Sequence, residues 1–307
     1  MLFHRTWIIL YVKVQAHDDA DIELDDDGGM PAEGESMAIV TISRQMGSKG
    51  DAVAEVLARE LGYRVFDKKA IEDLLQKHGV DAEGLERYNE KRPGPFEFFS
   101  SEKDRYIHYL KMVVIEAALD DNCIIIGRGA QNILRCVPSA VHIKFIAPFK
   151  MRVKNVEERF GCDEKHANSI IKQSDHDRTG YQKYFFNVNW DSPDLYDAVL
   201  NTASFEPEMM VEVVKGLVAT REKKVEAGTT LLNNMLQGQS VSGRILFEDA
   251  VPVRFLEVEI RGSTIVLRGV VDSPAHVKLC EDSARAAAPG VEIISEIAVV
   301  ESFHTII

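Results

Sequence analysis

The period of the apolar positions changes several times along this chain, and each change marks an element. Ala38-Ile39-Val40-Thr41-Ile42 is a short β-branched run of the kind buried in a parallel strand. A polar, glycine-containing turn follows, Ser43 to Gly50. Val53, Val56, Leu57 and Leu61 then fall at i, i+3, i+4 spacing, which predicts a helix opening at Asp51 and closed by Gly62. The same reading predicts strands at Tyr63–Phe66, Cys123–Gly127, Val141–Ile146 and Ala198–Leu200. It predicts helices at Lys69–His78, Glu102–Leu119, Lys150–Phe160, Asp163–Ser174 and over 207–224. Residues 80–101, with Pro93 and Pro95, read as a long irregular excursion. Strands alternating with helices imply a parallel sheet covered on both faces.

Toward the C-terminus the period shortens to two. Leu256 to Ile260 alternates, Gly262-Ser263 turns, and Thr264 to Gly269 alternates back; a helix over Ser273–Ala288 and a strand over Val291–Val300 complete a small α+β module. The polar stretch Glu222–Thr230 reads as the linker before it. The expected division is a tail over 1–36, an α/β domain over 37–224 and the small domain over 225–307.

Composition narrows the classes. The 307 residues are 45% hydrophobic and 28% charged, which excludes a disordered polymer and a disulfide-stapled miniprotein. Net charge is -13, but nine acids lie between Asp18 and Glu35, where no Lys or Arg occurs; residues 1–36 therefore read as an acidic, flexible tail. The remaining 40 acids and 36 bases leave a mildly acidic body, the wrong bias for wrapping duplex DNA, so no nucleic-acid partner is expected. Cys123, Cys136, Cys162 and Cys280 form no CxxC pair. The apolar run Trp7–Val12 is too short to span a bilayer. Reduced thiols and a cytoplasmic location are the expectation. Cys162 with His166 supplies only two metal ligands, so no metal site is assigned.

A strand, a glycine-containing turn and a helix can cradle phosphate, because backbone amides and the helix dipole favour an anion there. Against G-x-x-x-x-G-K-[ST] the best frame is Arg44 to Asp51, and all four defining positions differ: Arg44 and Lys49 replace the glycines, Gly50 the lysine and Asp51 the hydroxyl residue. An ordinary βα turn remains open on this pattern alone. The arginines add to it. Arg128 ends a strand, where open parallel sheets place ligands. Arg152 and Arg159 lie seven apart on one helix. Arg178 sits in Ser174–Tyr181, a polar segment suited to a mobile flap. Singly each arginine fits a solvated surface; with Lys49 they have the charge to surround a polyphosphate.

Three blocks, Thr41–Ser48, Phe66-Asp67-Lys68-Lys69 and Ile125–Ala130, together with Asp177–Phe185 and Asn189–Asp197, resemble the cytidylate kinase-like branch of P-loop nucleoside monophosphate kinases over about residues 37–220. That resemblance implies a P-loop-type parallel sheet flanked by helices, and transfer of the ATP γ-phosphoryl group to CMP, dCMP or a related acceptor, with Mg²⁺. It implies Gly47, Ser48, Lys49 and Gly50 around the donor phosphates, with Arg44 and Asp51 at the ends of that turn. Arg128 would hold the acceptor phosphate, Arg178 and Arg152 the transferring group, and Asp67 the acceptor or a Mg²⁺-bound water. The branch tends to carry glycine where Gly50 stands, but usually a small residue at Lys49 and a basic one at Asp51, so the chain departs from the pattern twice. The alternatives the resemblance leaves are a nucleotide-binding sensor without turnover and a scaffold whose P-loop fold binds no nucleotide. Residues 228–302 resemble the BON domain through Val258–Ile260, Thr264–Ser273, Ala286–Val291 and Ile297–Val300. This implies lipid or small-ligand contact through the C-terminal domain.

Overall fold

The computed structural model describes residues 38–81, 84–85, 101–120 and 122–300. The tail over 1–36 and most of the excursion over 80–101, including Phe96, Phe98 and Phe99, lie outside the described residues. The chain forms two compact units, one spanning Ser36–Leu232 and the other holding Asn233–Ile307.

In the first unit, strands β1 (Ile39–Arg44), β2 (Arg64–Phe66), β3 (Cys123–Ile126), β4 (Ala140–Ile146) and β5 (Ala198–Asn201) form one parallel sheet in the order β2-β3-β1-β4-β5. Register pairs Ile42 with Ile126 on one side and Ile143 on the other, so the carboxyl ends of the three central strands come together. Along β1 the side chains alternate between faces. Val40 and Ile42 enter a core with Val53, Ala54 and Leu57 of α1 (Gly50–Leu61), Phe145 of β4, and Val211 and Val214 of α7 (Pro207–Ala219). Burying each such aliphatic side chain contributes about 1.5–3 kcal/mol. Thr41 and Ser43 face the other way, and the Thr41 hydroxyl lies 2.7 Å from His142 Nδ1.

Between these strands run α2 (Lys68–Lys77), α3 (Ser101–Leu119), the one-turn α4 (Ala130–Ile133), α5 (Phe149–Phe160) and α6 (Glu164–Phe186). Asp67 caps α2 by accepting from the Ala70 amide at 2.9 Å, and Asp163 caps α6 by accepting from His166 at 2.7 Å. The flap expected at Ser174–Tyr181 is instead part of α6, one continuous helix. Between Ile171 and Tyr181 no apolar residue marks a buried face; the anchor there is an ion pair from Asp175 to Arg152 of α5, which apolar periodicity does not register.

The linker expected at Glu222–Thr230 is also corrected. After a 3-10 turn at Glu222–Lys224, the chain continues as helix α8 (Val225–Gly243). Gly228 packs so closely that a Cβ there would lie 2.1 Å from Ser139 Oγ, so the polar composition belongs to a helix held by close approach. The unit that holds Asn233–Ile307 carries strands β6 (Arg254–Arg261), β7 (Thr264–Val271) and β8 (Glu292–Val299), with α9 (Pro274–Ala287) between the last two. β6 and β7 are antiparallel, and β8 returns parallel to β7. Ser273 caps α9, and Leu256, Val258, Ile265, Leu267, Cys280 and Ala284 form the core.

Candidate active site

β1 ends at Arg44, and α1 begins at Gly50 after five intervening residues. Gly47 has φ 78°, and a Cβ on it would lie 2.6 Å from the carbonyl oxygen of Arg152, so only glycine lets this turn lie against α5. Asn155 donates to the Gly47 carbonyl at 2.8 Å and fixes the turn from the α5 side. Lys49 occupies the N-cap position with φ 60° and makes no side-chain capping bond among the described residues. The Ala52 and Val53 amides bond the Lys49 carbonyl at 3.1 and 3.3 Å, and among the described residues the Gly50 and Asp51 amides make no backbone hydrogen bond, which leaves those two for an external acceptor. Ser48 is fully buried, and its hydroxyl has no hydrogen-bond partner among the described residues. A buried, unsatisfied hydroxyl is costly unless it serves a ligand.

Arg128 follows β3 with φ 54°, between Gly127 at 78° and Gly129 at 70°. A non-glycine residue in this region costs on the order of 1 kcal/mol, and such strain collects at functional sites. Gly129 is fixed by contact too, since a Cβ there would lie 2.2 Å from the Phe186 ring. The Arg128 side chain is fully buried, donates to Glu72 of α2 and lies 3.4 Å from the Tyr106 hydroxyl. Arg44, Arg128 and Arg178 line one cleft with Ser43, Tyr181 and Trp190. In this structure the cleft is narrow, about 10 Å³, the room one water molecule needs.

Of the other predicted residues, Gly47, Ser48, Lys49, Gly50, Asp51, Arg152 and Asp67 are not among those that line this cleft. Arg152 is buried and bonds Asp175 at 2.8 and 2.5 Å. Arg178 donates to Ser174 Oγ at 2.7 Å. Arg44 Nε donates to Asp51 at 2.7 Å, and Arg159 approaches the same carboxylate at 3.6 Å. Burial opposes charge on Asp51, but Arg44, helped by Arg159 and Arg178, holds its carboxyl below the ordinary value. Burial pushes the Asp175 carboxyl the other way, up, in spite of Arg152. Lys49 is exposed. Asp67 is the α2 cap, one residue before Lys68, which stands 3.9 Å from Glu72.

Sequence reasoning missed a second group under the cleft. Lys144 of β4 is buried and donates to the Trp190 carbonyl at 2.7 Å and to Asp191 at 2.8 Å, with its ammonium 4.0 Å from the Trp190 ring centroid. Trp190 in turn donates from Nε1 to Ser43 at 3.2 Å, and Tyr196 donates to the Trp190 carbonyl at 2.9 Å. Burial lowers the Lys144 pKa even beside Asp191. The signal was available: a lysine two residues after a histidine in an otherwise apolar strand of a sheet covered on both faces. Glu72, Asp175 and Asp191 carried no such signal, because a single acid on a polar helix or loop is common.

The chemistry of this donor set is recognition of oxyanions: uncapped helix amides, a buried hydroxyl and arginines from several elements. For Mg²⁺, Asp51 is the carboxylate at the turn, and no group of three or more candidate metal ligands occurs among the described residues. One or two carboxylates with substrate phosphates is the usual complement for that ion.

The sequence pattern described as "Cytidylate kinase-like family" matches residues 39–204, more than half of the chain. A cytidylate kinase of Archaeoglobus fulgidus is 26% identical over 192 residues, which is 61% of this chain and 98% of that protein. One from Thermococcus kodakarensis is 23% identical, over 62% of this chain and 92% of that protein. A solved structure of an uncharacterized protein from Eubacterium ventriosum superposes with a TM-score of 0.49 at 19% identity, covering 60% of this chain and 99% of that one. Among the described residues, no helix is long and apolar enough to cross a membrane.

Proposed function

Because the chain belongs to the cytidylate kinase-like family, we propose that the unit Ser36–Leu232 moves the γ-phosphoryl group of ATP to CMP, dCMP or a related nucleoside monophosphate. The observation that carries this reading is convergence: Arg44, Arg128 and Arg178, from three separate elements, line one cleft, and Arg44 also bonds Asp51 in the first turn of α1. Phosphoryl transfer asks little covalent chemistry of a protein; it asks for positioning and for positive charge where negative charge moves.

In this reading Gly47, Ser48, Lys49 and Gly50 hold the donor phosphates through backbone amides and the Ser48 hydroxyl. Arg128 holds the acceptor phosphate, its positive φ flanked by two glycines and its side chain held by Glu72 and the Tyr106 hydroxyl. Arg178 stabilises charge on the transferring group, and Arg152, anchored beside it, adds to the positive field. Asp67 orients the acceptor from the start of α2. Mg²⁺, arriving with ATP, would neutralise phosphate charge, and Asp51 is the residue placed to meet it. The cofactors are thus ATP and Mg²⁺, and the partners nucleotides rather than nucleic acid. The C-terminal module, which resembles the BON domain, is assigned lipid or small-ligand contact. Flotation of the full chain with anionic liposomes tests that assignment, and failure to float removes the lipid part of it.

One observation favours a second reading, a sensor that binds nucleotide without turnover: Asp51 places negative charge at the phosphate end of α1. A coupled ADP-release assay with a panel of monophosphates separates the two. Turnover with CMP or dCMP supports the kinase. Calorimetric binding of ATP and Mg²⁺ without turnover supports the sensor, and no heat with any nucleotide overturns both.

A further inference from the structure

Each arginine at the phosphate end of the sheet already has an anion or hydroxyl of the chain's own against it. Asp51 holds Arg44 and Arg159, Glu72 holds Arg128, Asp175 holds Arg152, and Ser174 accepts from Arg178. Asp51 is placed differently from the other acids. Glu72 and Asp175 reach in from α2 and α6, whereas Asp51 is the second residue of α1, on the cradle itself, where a ligand phosphate would seat. Its two carboxylate oxygens approach two arginines, as two oxygens of a phosphate would, and its backbone belongs to the first turn of α1.

We propose that the Asp51 carboxylate is a built-in occupant of the donor-phosphate position, a tethered competitor that sets which polyphosphates the cradle accepts. This rests on the reading that the cradle binds phosphate. A bare polyphosphate must displace the carboxylate from Arg44 and then remain beside a like charge. A polyphosphate carrying a divalent cation meets less repulsion, because the cation's charge offsets that of the carboxylate. Asp51 therefore selects the metal-complexed donor over the free anion, and holds the arginines together until that donor arrives.

The test is isothermal titration of the full chain with inorganic tripolyphosphate in EDTA and, separately, with ATP plus Mg²⁺. Asp51→Asn is compared with the wild type and with Glu55→Gln, an exposed acid on the same helix that makes the same change in net charge. The expected result is that Asp51→Asn binds tripolyphosphate at least about tenfold more tightly, the size expected of one like charge removed at a half-exposed position. The gain with ATP plus Mg²⁺ is expected to be smaller, and Glu55→Gln is expected to match the wild type. Equal or weaker tripolyphosphate binding by Asp51→Asn, with a wild type that does bind, overturns the competitor role and leaves the nucleotide site standing. An equal gain in Glu55→Gln overturns it as well, by assigning the effect to overall charge. No binding by any of the three under either condition removes the phosphate cradle together with the competitor. Asp51→Ser, which restores the hydroxyl of the orthodox motif, gives the same readout if thermal melting shows that the Asn variant does not fold.

Discussion

Both units of this protein contain a network of arginines and carboxylates, and the two differ in how the network is built. In the C-terminal unit Glu259 is buried on β6 and receives Arg261 at 2.8 Å and Arg268 at 2.6 Å, while Arg268 also reaches Glu296 of β8 at 2.7 Å. Those residues are neighbours on paired strands, so the network is a ladder of cross-strand contacts whose geometry follows from register. Arg261 and Arg268 there face Glu259, Glu296 and also Glu257, which lies 3.7 Å from Arg268. In the first unit the charges come from β1, α1, α2, the end of β3, β4, α5, α6 and the Trp190–Asp191 turn. They gather at the carboxyl edge of a parallel sheet, where such folds place ligands. There Arg44, Arg128, Lys144, Arg152 and Arg159 meet Asp51, Glu72, Asp175 and Asp191 across elements distant in the chain. The C-terminal network is set by neighbouring strands, the other by crossovers that bring separate elements to one edge. An ion pair alone does not mark a site. Its place in the topology does.

The sharpest way to break this comparison is to truncate one arginine in each network. Arg128→Ala is expected to lower kcat/KM for CMP phosphorylation by about 10³-fold, the upper range for removal of one preorganised donor. Arg268→Ala is expected to leave it unchanged. Equal losses in a coupled ADP-release assay would show that the distinction is false. Next in size is Asp175→Ala, which strands the buried Arg152 and is expected to destabilise the first unit by about 3 kcal/mol, read from the urea midpoint. Glu259→Gln keeps the shape of the ladder, and about 1 kcal/mol is expected for the weakened hydrogen bonds, with nucleotide kinetics untouched.

The smallest effect concerns pH. The Asp51 carboxyl is held below its ordinary 3.8, so the stability it contributes is fully present above that value and is lost as pH falls through its folded value. The thermal midpoints of wild type and Asp51→Asn are therefore expected to converge in acid, starting below about pH 4. The difference at neutral pH should stay under about 1 kcal/mol, because the pair is substantially exposed. A gap that widens in acid would contradict that sign.

What the sequence determined was the alternation of elements. β-branched runs such as Ile39–Ile42 and Cys123–Ile126 are read locally, because burial on both faces of a parallel strand favours a near-continuous run of apolar side chains. Glycines at Gly62 and Gly161 end their helices through backbone freedom alone. The same local logic failed at Ser174–Tyr181 and at Glu222–Thr230, where a helix is held by an ion pair or by the close packing of Gly228, and neither leaves an apolar stripe. At the site, Arg128 and the Gly47–Gly50 turn were legible because a strand end and a glycine-rich turn are sequence-local. The pairing of Arg152 with Asp175, of Arg128 with Glu72 and of Lys144 with Trp190 and Asp191 was not. Those partners are 23, 56 and about 46 residues apart, and only the parallel crossovers that bring strand ends to one edge decide which charges meet.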